Sequence, residues 1–138
     1  MLAALLPVTS QAKGAAAQRI HMFGFAASFN DTIVHFTNIQ TVDGVWIDGK
    51  TNFLMGRQRY SSMLRDYLNK NQMPHRTCLV IYDKSLKKLQ KRYLKMRKLY
   101  LNTGKKAKNR NNVIDIMEDD FKFTPIDMNP NTGVETIQ

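Results

Sequence analysis

The 138-residue chain contains a single cysteine, Cys78, which excludes an intrachain disulfide framework. It has no cysteine pair and no cysteine–histidine cluster at the spacing of a zinc site. No apolar run approaches the roughly 18 to 20 residues that a membrane-spanning helix needs. What remains is a chain of one-domain length that is 43% hydrophobic, enough to bury a core without disulfides or metals.

Acidic residues are missing from one long stretch, residues 84–110, which we call the cationic block. Twelve lysines and arginines lie there, whereas the rest of the chain has nine basic and eleven acidic residues. The protein is therefore predicted to be a nearly neutral domain with one concentrated positive charge. Such a block attracts nucleic acid, anionic lipid or an acidic protein, although a lysine-rich helix face is often merely solvated.

The clearest structural signal is a strand followed by a basic amphipathic helix. Residues 77–82 form a short apolar run with β-branched and aromatic members, which predicts a buried strand. Asp83 is the predicted N-cap of a helix that continues to Leu101, with Gly104 as the residue that ends it. The helix has an apolar stripe at steps of three and four, comprising Leu86, Leu89, Tyr93, Met96 and Tyr100.

Elsewhere the patterns predict short strands and one further helix. Residues 19–29 and 32–42 are predicted to form a β-hairpin with a turn at Ser28–Asp31. Residues 53–55 are a candidate third strand, and residues 113–117 and 121–123 are candidates for the last ones. Apolar residues at helical spacing predict a helix over 57–71. Trp46 is interpreted as a core anchor, with a surface stacking role left open.

This order of elements predicts an α+β fold with a small, mostly antiparallel sheet. The sheet would combine the N-terminal hairpin with strand 77–82, and both amphipathic helices would pack on one face of it. Residues 19–124 are predicted to form the single domain. Residues 125–138 are rich in Pro, Asn, Gly and Thr and are predicted to be a flexible tail.

The first twelve residues have part of the pattern of a secretory signal peptide. Residues 2–8 form a short apolar core, and Ser10 and Ala12 are small residues placed for cleavage after Ala12. No lysine or arginine precedes Lys13, so the usual positive start is missing. Either the start codon is assigned too far downstream, or this segment is a loosely ordered amino terminus.

Catalytic and metal-binding patterns are weak. His21 and His35 fall on predicted paired strands, where a two-histidine metal site or acid–base pair is conceivable, but two ordinary strand histidines are the simpler interpretation. His75 precedes Cys78 by three residues, but a cysteine within a strand is typically a buried, inert thiol. We therefore predict a protein that is not an enzyme and needs no cofactor or metal.

The candidate site is an anion-binding surface within the cationic block. A polyanion is the expected partner: anionic lipid, an acidic protein or a polysaccharide, or nucleic acid if the protein is cytoplasmic. No helix-turn-helix, zinc-finger or RNP motif is present, so nucleic-acid binding is predicted from charge alone. The candidate residues are Lys87, Lys88, Lys91, Arg92, Lys95, Lys98, Lys105, Lys106, Lys108 and Arg110.

Three segments together resemble a group of small uncharacterised proteins from Bacteroides-type bacteria. These are residues 23–31 (FGFAASFND), residues 64–67 (LRDY) and residues 74–78 (PHRTC). The resemblance implies a compact exported or cell-envelope protein and carries no activity, ligand or catalytic residue with it. We thus expect a periplasmic or secreted, non-enzymatic binding or structural module, with a nucleic-acid-binding protein that uses the cationic block as the alternative.

Overall fold

The structure, a computed structural model, describes residues 15–101 and 111–129. The candidate signal peptide, candidate residues Lys105 to Arg110 and the end of the predicted tail lie outside these ranges. The described elements are β1 (Ala16–Ala27), β2 (Ile33–Thr37), β3 (Gln40–Ile47), α1 (Arg57–Lys70), β4 (Thr77–Asp83), α2 (Leu86–Leu101) and β5 (Asn112–Ile116). The predicted α+β fold with a mostly antiparallel sheet is confirmed.

The long strand β1 is the centre of the five-stranded sheet. β2 pairs with the C-terminal end of β1 and β3 with its N-terminal part, both antiparallel. His21 and Met22 pair with β3 and also with β4, so β4 lies along the other edge of β1. β5 pairs with β2 in parallel and is the sheet's one parallel neighbour within the described residues.

The predicted hairpin is confirmed, but its second strand is interrupted. Asn38 and Ile39 separate β2 from β3, which runs on to Ile47. The turn forms as its polar residues predict, since the Ser28 hydroxyl accepts from the Asn30 amide and the Asp31 carboxylate from the Ile33 amide. The candidate strands at 53–55 and 121–123 are not strands; the first contributes only an isolated bridge at Leu54.

The two helices lie on opposite faces of the sheet, so the prediction that both pack on one face is wrong. Met22 and Val80 face the core beneath α1, whereas Phe23 and Ile81 face the core beneath α2. The physical reason is visible in β1, where consecutive residues from Met22 to Ala26 are all buried. A strand buried on both faces needs a covering layer on each side.

Two local predictions also change. The cap of α2 is Ser85 rather than Asp83: the Ser85 hydroxyl accepts from the Lys88 amide, and the Asp83 carboxylate accepts from the Ser85 amide. Trp46 is only half-buried, because its neighbours Val45 and Ile47 take the core-facing positions of β3.

The segment after β5 belongs to the core, not to a flexible tail. Phe121, Phe123 and Ile126 are buried against α1 and the sheet. The backbone amide of Ile126 donates to Tyr60 Oη at 3.0 Å, and the side chain of Gln40 bonds to the backbone of residues 121 and 123. Phe121 and Phe123 lie within the predicted domain, whereas Ile126 lies within the predicted tail, so the core extends at least to Ile126.

Gly24 is the point of closest approach between β1 and the layer that covers it. A Cβ atom at this position would lie 2.7 Å from Leu64 Cδ2 and 3.1 Å from Phe123 Cζ. Its amide donates to the hydroxyl of Thr37, which bridges the interruption between the strands. A larger residue would push α1 or the 121–126 segment away from β1.

An ion pair between buried Arg76 and exposed Asp31 lies at the end of the sheet near the β1–β2 turn. The guanidinium of Arg76 donates to both carboxylate oxygens of Asp31, at 2.7 and 2.6 Å, and to the carbonyl of Ile33. Hydrogen bonding to Arg76 holds the pKa of Asp31 below its usual range. Burial lowers the pKa of neighbouring His35, and the positive charge of Arg76 lowers it further. The negative charge of Asp31 acts in the opposite direction and raises this pKa.

We expect His35 to make stability depend on pH. In the window between its lowered native pKa and about 6.5, the unfolded chain binds a proton that the native protein does not. The free energy of unfolding should therefore rise with pH across this window, by at most about 1.4 kcal/mol per pH unit. Above the window His35 should cause no further rise. Urea unfolding at pH 5.0 to 7.5 measures this slope.

The variant His35→Gln should flatten that slope, because it removes the titrating group. His75→Asn, at an exposed residue with a φ of 64° that asparagine tolerates, is the matched control and should retain it. Equal slopes for the wild type and His35→Gln would contradict this account.

Candidate anion-binding surface

Helix α2 is held on the sheet by an aromatic stripe. Leu89 is fully buried, and Tyr93 packs edge-to-face on Phe23 with ring centroids 4.9 Å apart. Tyr100 lies 4.8 Å from Phe25 by the same measure. Because these side chains occupy one side of the helix, the opposite side is left to solvent.

The solvent side of α2 carries six cationic side chains. Its basic residues are exposed, and none of them takes part in an ion pair within the described ranges. From Lys87 to Lys98 the helix rises roughly 16 Å. We call this set the outer face of α2: Lys87, Lys88, Lys91, Arg92, Lys95 and Lys98.

Arg97 differs from the outer face although it lies in the same helix. Its guanidinium bonds to the carboxylate of Asp115 on β5, and it lies over the rings of Phe36 and Tyr93. Hydrogen bonding to Asp115 raises the pKa of Arg97. The charge of Arg97 is therefore neutralised locally, and the ion pair attaches the helix to the sheet. This agrees with the absence of Arg97 from the predicted site.

Exposed leucines accompany the lysines on α2. Leu94 is 59% exposed, Leu99 67% and Leu101 45%. By helical position, Leu94 and Leu101 lie on one flank of the lysines and Leu99 on the other. The surface is thus cationic and partly apolar, which charge counting along the sequence does not reveal.

A further arginine, Arg57, joins this surface at the edge of β4. Arg57 is the first residue of α1 and reaches β4 from the face opposite α2. On the other side of the strand lies Arg92, which donates to the carbonyl of Tyr82 at 3.5 Å. Arg57 is not among the predicted site residues, because its nearness to Arg92 arises only through β4.

The start of α2 also borders a recess of about 330 Å³. Lys84 and Lys88 line it together with Asp83 and Tyr82, and Lys84 Nζ donates to Asn52 Oδ1 at 3.1 Å. The carboxylate of Asp83 makes this recess less positive than the outer face. Candidate residues Lys105, Lys106, Lys108 and Arg110 lie outside the described residues.

The histidines do not form a pair. His21 Nδ1 lies 2.8 Å from the hydroxyl of Thr41, whereas His35 lies on β2 opposite Ala26, five residues further along β1 than His21. In the described part of the chain, no three histidine, cysteine or acidic residues come together in a way that could hold a metal ion. The conceivable two-histidine site is therefore wrong.

Cys78 and His75 are not arranged as a nucleophile and its base. The Cys78 thiol donates to the carbonyl of Arg76 at 3.9 Å, and His75 is an exposed loop residue. Burial raises the pKa of Cys78 to about 11, despite the opposing charges of Arg65 and Arg76. The thiol form dominates at neutral pH, which disfavours nucleophilic chemistry.

Thiol labelling tests this directly. At pH 7.5, native Cys78 should react with iodoacetamide roughly a hundredfold more slowly than the unfolded chain, because a pKa two units higher leaves that much less thiolate. Quantitative mass spectrometry in buffer and in urea gives the two rates. Native labelling as fast as that in urea would show a reactive cysteine instead.

Neither helix within residues 15–101 and 111–129 is long and apolar enough to cross a membrane. Comparison with protein-family models, with curated proteins and with solved structures finds no match for this chain. The interpretation of the surface therefore rests on its own geometry and charge.

Proposed function

We propose that this protein is a non-enzymatic binding module of the cell envelope whose α2 docks on an anionic lipid surface. The observation that carries the proposal is the outer face of α2: six exposed cations with no carboxylate partner among the described residues, accompanied by three exposed leucines. Each lysine or arginine near an anionic membrane surface contributes about 1 kcal/mol to binding. The six together are sufficient for reversible attachment.

The leucines favour lipid over nucleic acid as the polyanion. A basic helix is drawn to an anionic membrane surface, and exposed leucines beside the lysines can gain by entering the membrane interface. Binding to single-stranded nucleic acid commonly adds aromatic side chains on which bases stack. The two tyrosines of α2 are instead packed on Phe23, Phe25 and Phe36 and are unavailable for stacking.

Nucleic acid remains the alternative partner, because the outer face attracts any polyanion by charge. The two candidates differ in what they require from the leucines. Lipid binding gains from burying Leu94 and Leu99 in the interface, whereas phosphate contacts along a nucleic acid do not need them.

We expect the variant Lys91→Glu/Lys95→Glu/Lys98→Glu to lose binding to vesicles that contain phosphatidylglycerol. Removing three charges should weaken binding at least about a hundredfold, and reversal should weaken it further. Vesicle co-sedimentation at increasing salt measures this, and wild-type binding should fall with salt because the charges are screened.

Lys50→Glu/Arg59→Glu/Lys70→Glu is the matched control, with the same net charge change at exposed residues away from α2. It should keep most of the binding.

Leu94→Gln/Leu99→Gln should weaken vesicle binding while leaving binding to a DNA duplex unchanged. Tighter binding to the duplex than to vesicles, with no effect of the leucine changes, would favour nucleic acid instead.

The envelope location is a separate part of the proposal, supported by the resemblance and by residues 1–12. Mass spectrometry of the protein's amino terminus, after fractionation of the native cell, should find a chain that begins at Lys13 in the envelope or medium. An intact Met1 in the cytoplasm would contradict export and make nucleic acid the leading partner.

A further inference from the structure

The outer edge of β4 is open, and two arginines cover it. Within the described residues β4 pairs with β1 alone, so one row of its backbone groups faces away from the sheet. The carbonyl of Val80 accepts from Arg57 Nη2 at 3.4 Å, and that of Tyr82 accepts from Arg92 Nη1 at 3.5 Å. The two guanidiniums thus approach one edge from opposite layers.

These arginines form a cleft rather than a sealed cover. Carbonyls two residues apart along a strand lie roughly 7 Å from each other, so the guanidiniums are anchored at about that spacing. Arg57, Ile81, Tyr82 and Arg92 line a recess of about 240 Å³ between them, which we call the arginine cleft. The Arg57 guanidinium also lies over the Tyr82 ring, 5.9 Å from its centroid.

Most of the hydrogen-bonding capacity of the two guanidiniums is unused. An arginine has five N–H donors, and the bonds to the β4 carbonyls are at the long limit for a hydrogen bond. Neither Arg57 nor Arg92 forms an ion pair in the described parts of the chain. The cleft therefore has two positive charges and free donors, with no carboxylate against them.

The start of α1 adds to the positive field. Gly56 precedes Arg57 with a φ of 75°, offers no side-chain cap, and no acidic residue lies in the first turn. Helix amides and the helix dipole favour an anion at such an end. This contribution is secondary to the arginines, which come from two separate elements and converge on one edge.

We infer that the arginine cleft binds a phosphate group between Arg57 and Arg92. The planar guanidinium fork matches phosphate geometry and donates two hydrogen bonds at once. The inference deepens the proposed function and rests on it for the source of the phosphate, a lipid head group. Arg92 shares a side of α2 with Lys88, Lys95 and Leu99, so the cleft is continuous with the outer face.

Protection of the edge is the competing explanation. Charged side chains over an open strand prevent pairing with a second chain. That role requires only that the arginines lie over β4 and predicts no saturable site for phosphate. Binding of inorganic phosphate by the wild-type protein therefore separates the two explanations.

We expect inorganic phosphate, titrated into ¹⁵N-labelled protein at constant ionic strength, to cause saturable shifts in NMR spectra. The shifts should concentrate at the backbone amides of residues 80–82 and at the Nε–H groups of Arg57 and Arg92. Arg57→Gln and Arg92→Gln should each weaken binding about tenfold or more, because a charge-assisted pair is lost. Arg57→Lys should restore only part of it, since lysine lacks the fork.

Arg59→Gln and Lys70→Gln are the matched controls, since both are exposed basic residues of α1 outside the arginine cleft and outside the outer face of α2, and they should leave the affinity unchanged. Shifts spread over the lysines without saturation at residues 80–82 would overturn the inference. Unchanged phosphate affinity in both glutamine variants would also overturn it. The same holds if the glutamine variants dimerise through β4 and still bind phosphate. If a glutamine variant fails to fold, the wild-type shifts and the lysine variant decide the question.

The same titration identifies the source of the phosphate. Short-chain phosphatidic acid below its micelle concentration should bind more tightly than inorganic phosphate. Arg92→Gln should weaken the binding of this lipid as it weakens the binding of phosphate. A dinucleotide that binds the cleft more tightly than the lipid would overturn the lipid assignment. Vesicle binding that depends on the lysines, without phosphate in the cleft, would leave the proposed function intact and remove only this site.

Discussion

The burial of β1 on both faces is the constraint on which the rest of the structure depends. Alternate residues of this strand point to opposite sides, so Met22 and Phe23 belong to different cores. Each core then needs its own cover: α1 with the 121–126 segment on one side, and α2 on the other. Gly24 shows how tight the arrangement is, because even a methyl group there would meet Leu64 and Phe123.

This arrangement explains the surface as well as the core. Among the described elements, α2 is the only helix on its face of the sheet, so its aromatic stripe is buried and its lysines are turned to solvent. Since the helices lie on opposite faces, side chains from both can reach the shared edge strand. The open edge of β4 is therefore where Arg57 and Arg92 meet, and the proposed phosphate site is a consequence of the layering.

Much of the local structure was predictable because its causes are local. Both helices, the β1–β2 hairpin and β4 were predicted from periodicity and turn residues. The errors fall where local pattern is silent. The placement of both helices on one face failed because periodicity shows which side of a helix is apolar and not which side of the sheet it covers. The predicted tail misplaced Ile126, because its burial is decided by a hydrogen bond to Tyr60, 66 residues away in the chain.

The sequence alone determined that α2 presents a cationic outer face, since its lysines and its apolar stripe alternate with the period of the helix itself. It also determined that these lysines have no acidic neighbours along the chain, because residues 84–110 contain no aspartate or glutamate. Tertiary structure decided which cations remain free. Asp115 on β5 removes Arg97 from the surface. In the described part of the chain β4 pairs only with β1, which leaves an edge to which Arg57 and Arg92 both reach. These outcomes depend on strand order and register, which are set by contacts between residues far apart in the chain.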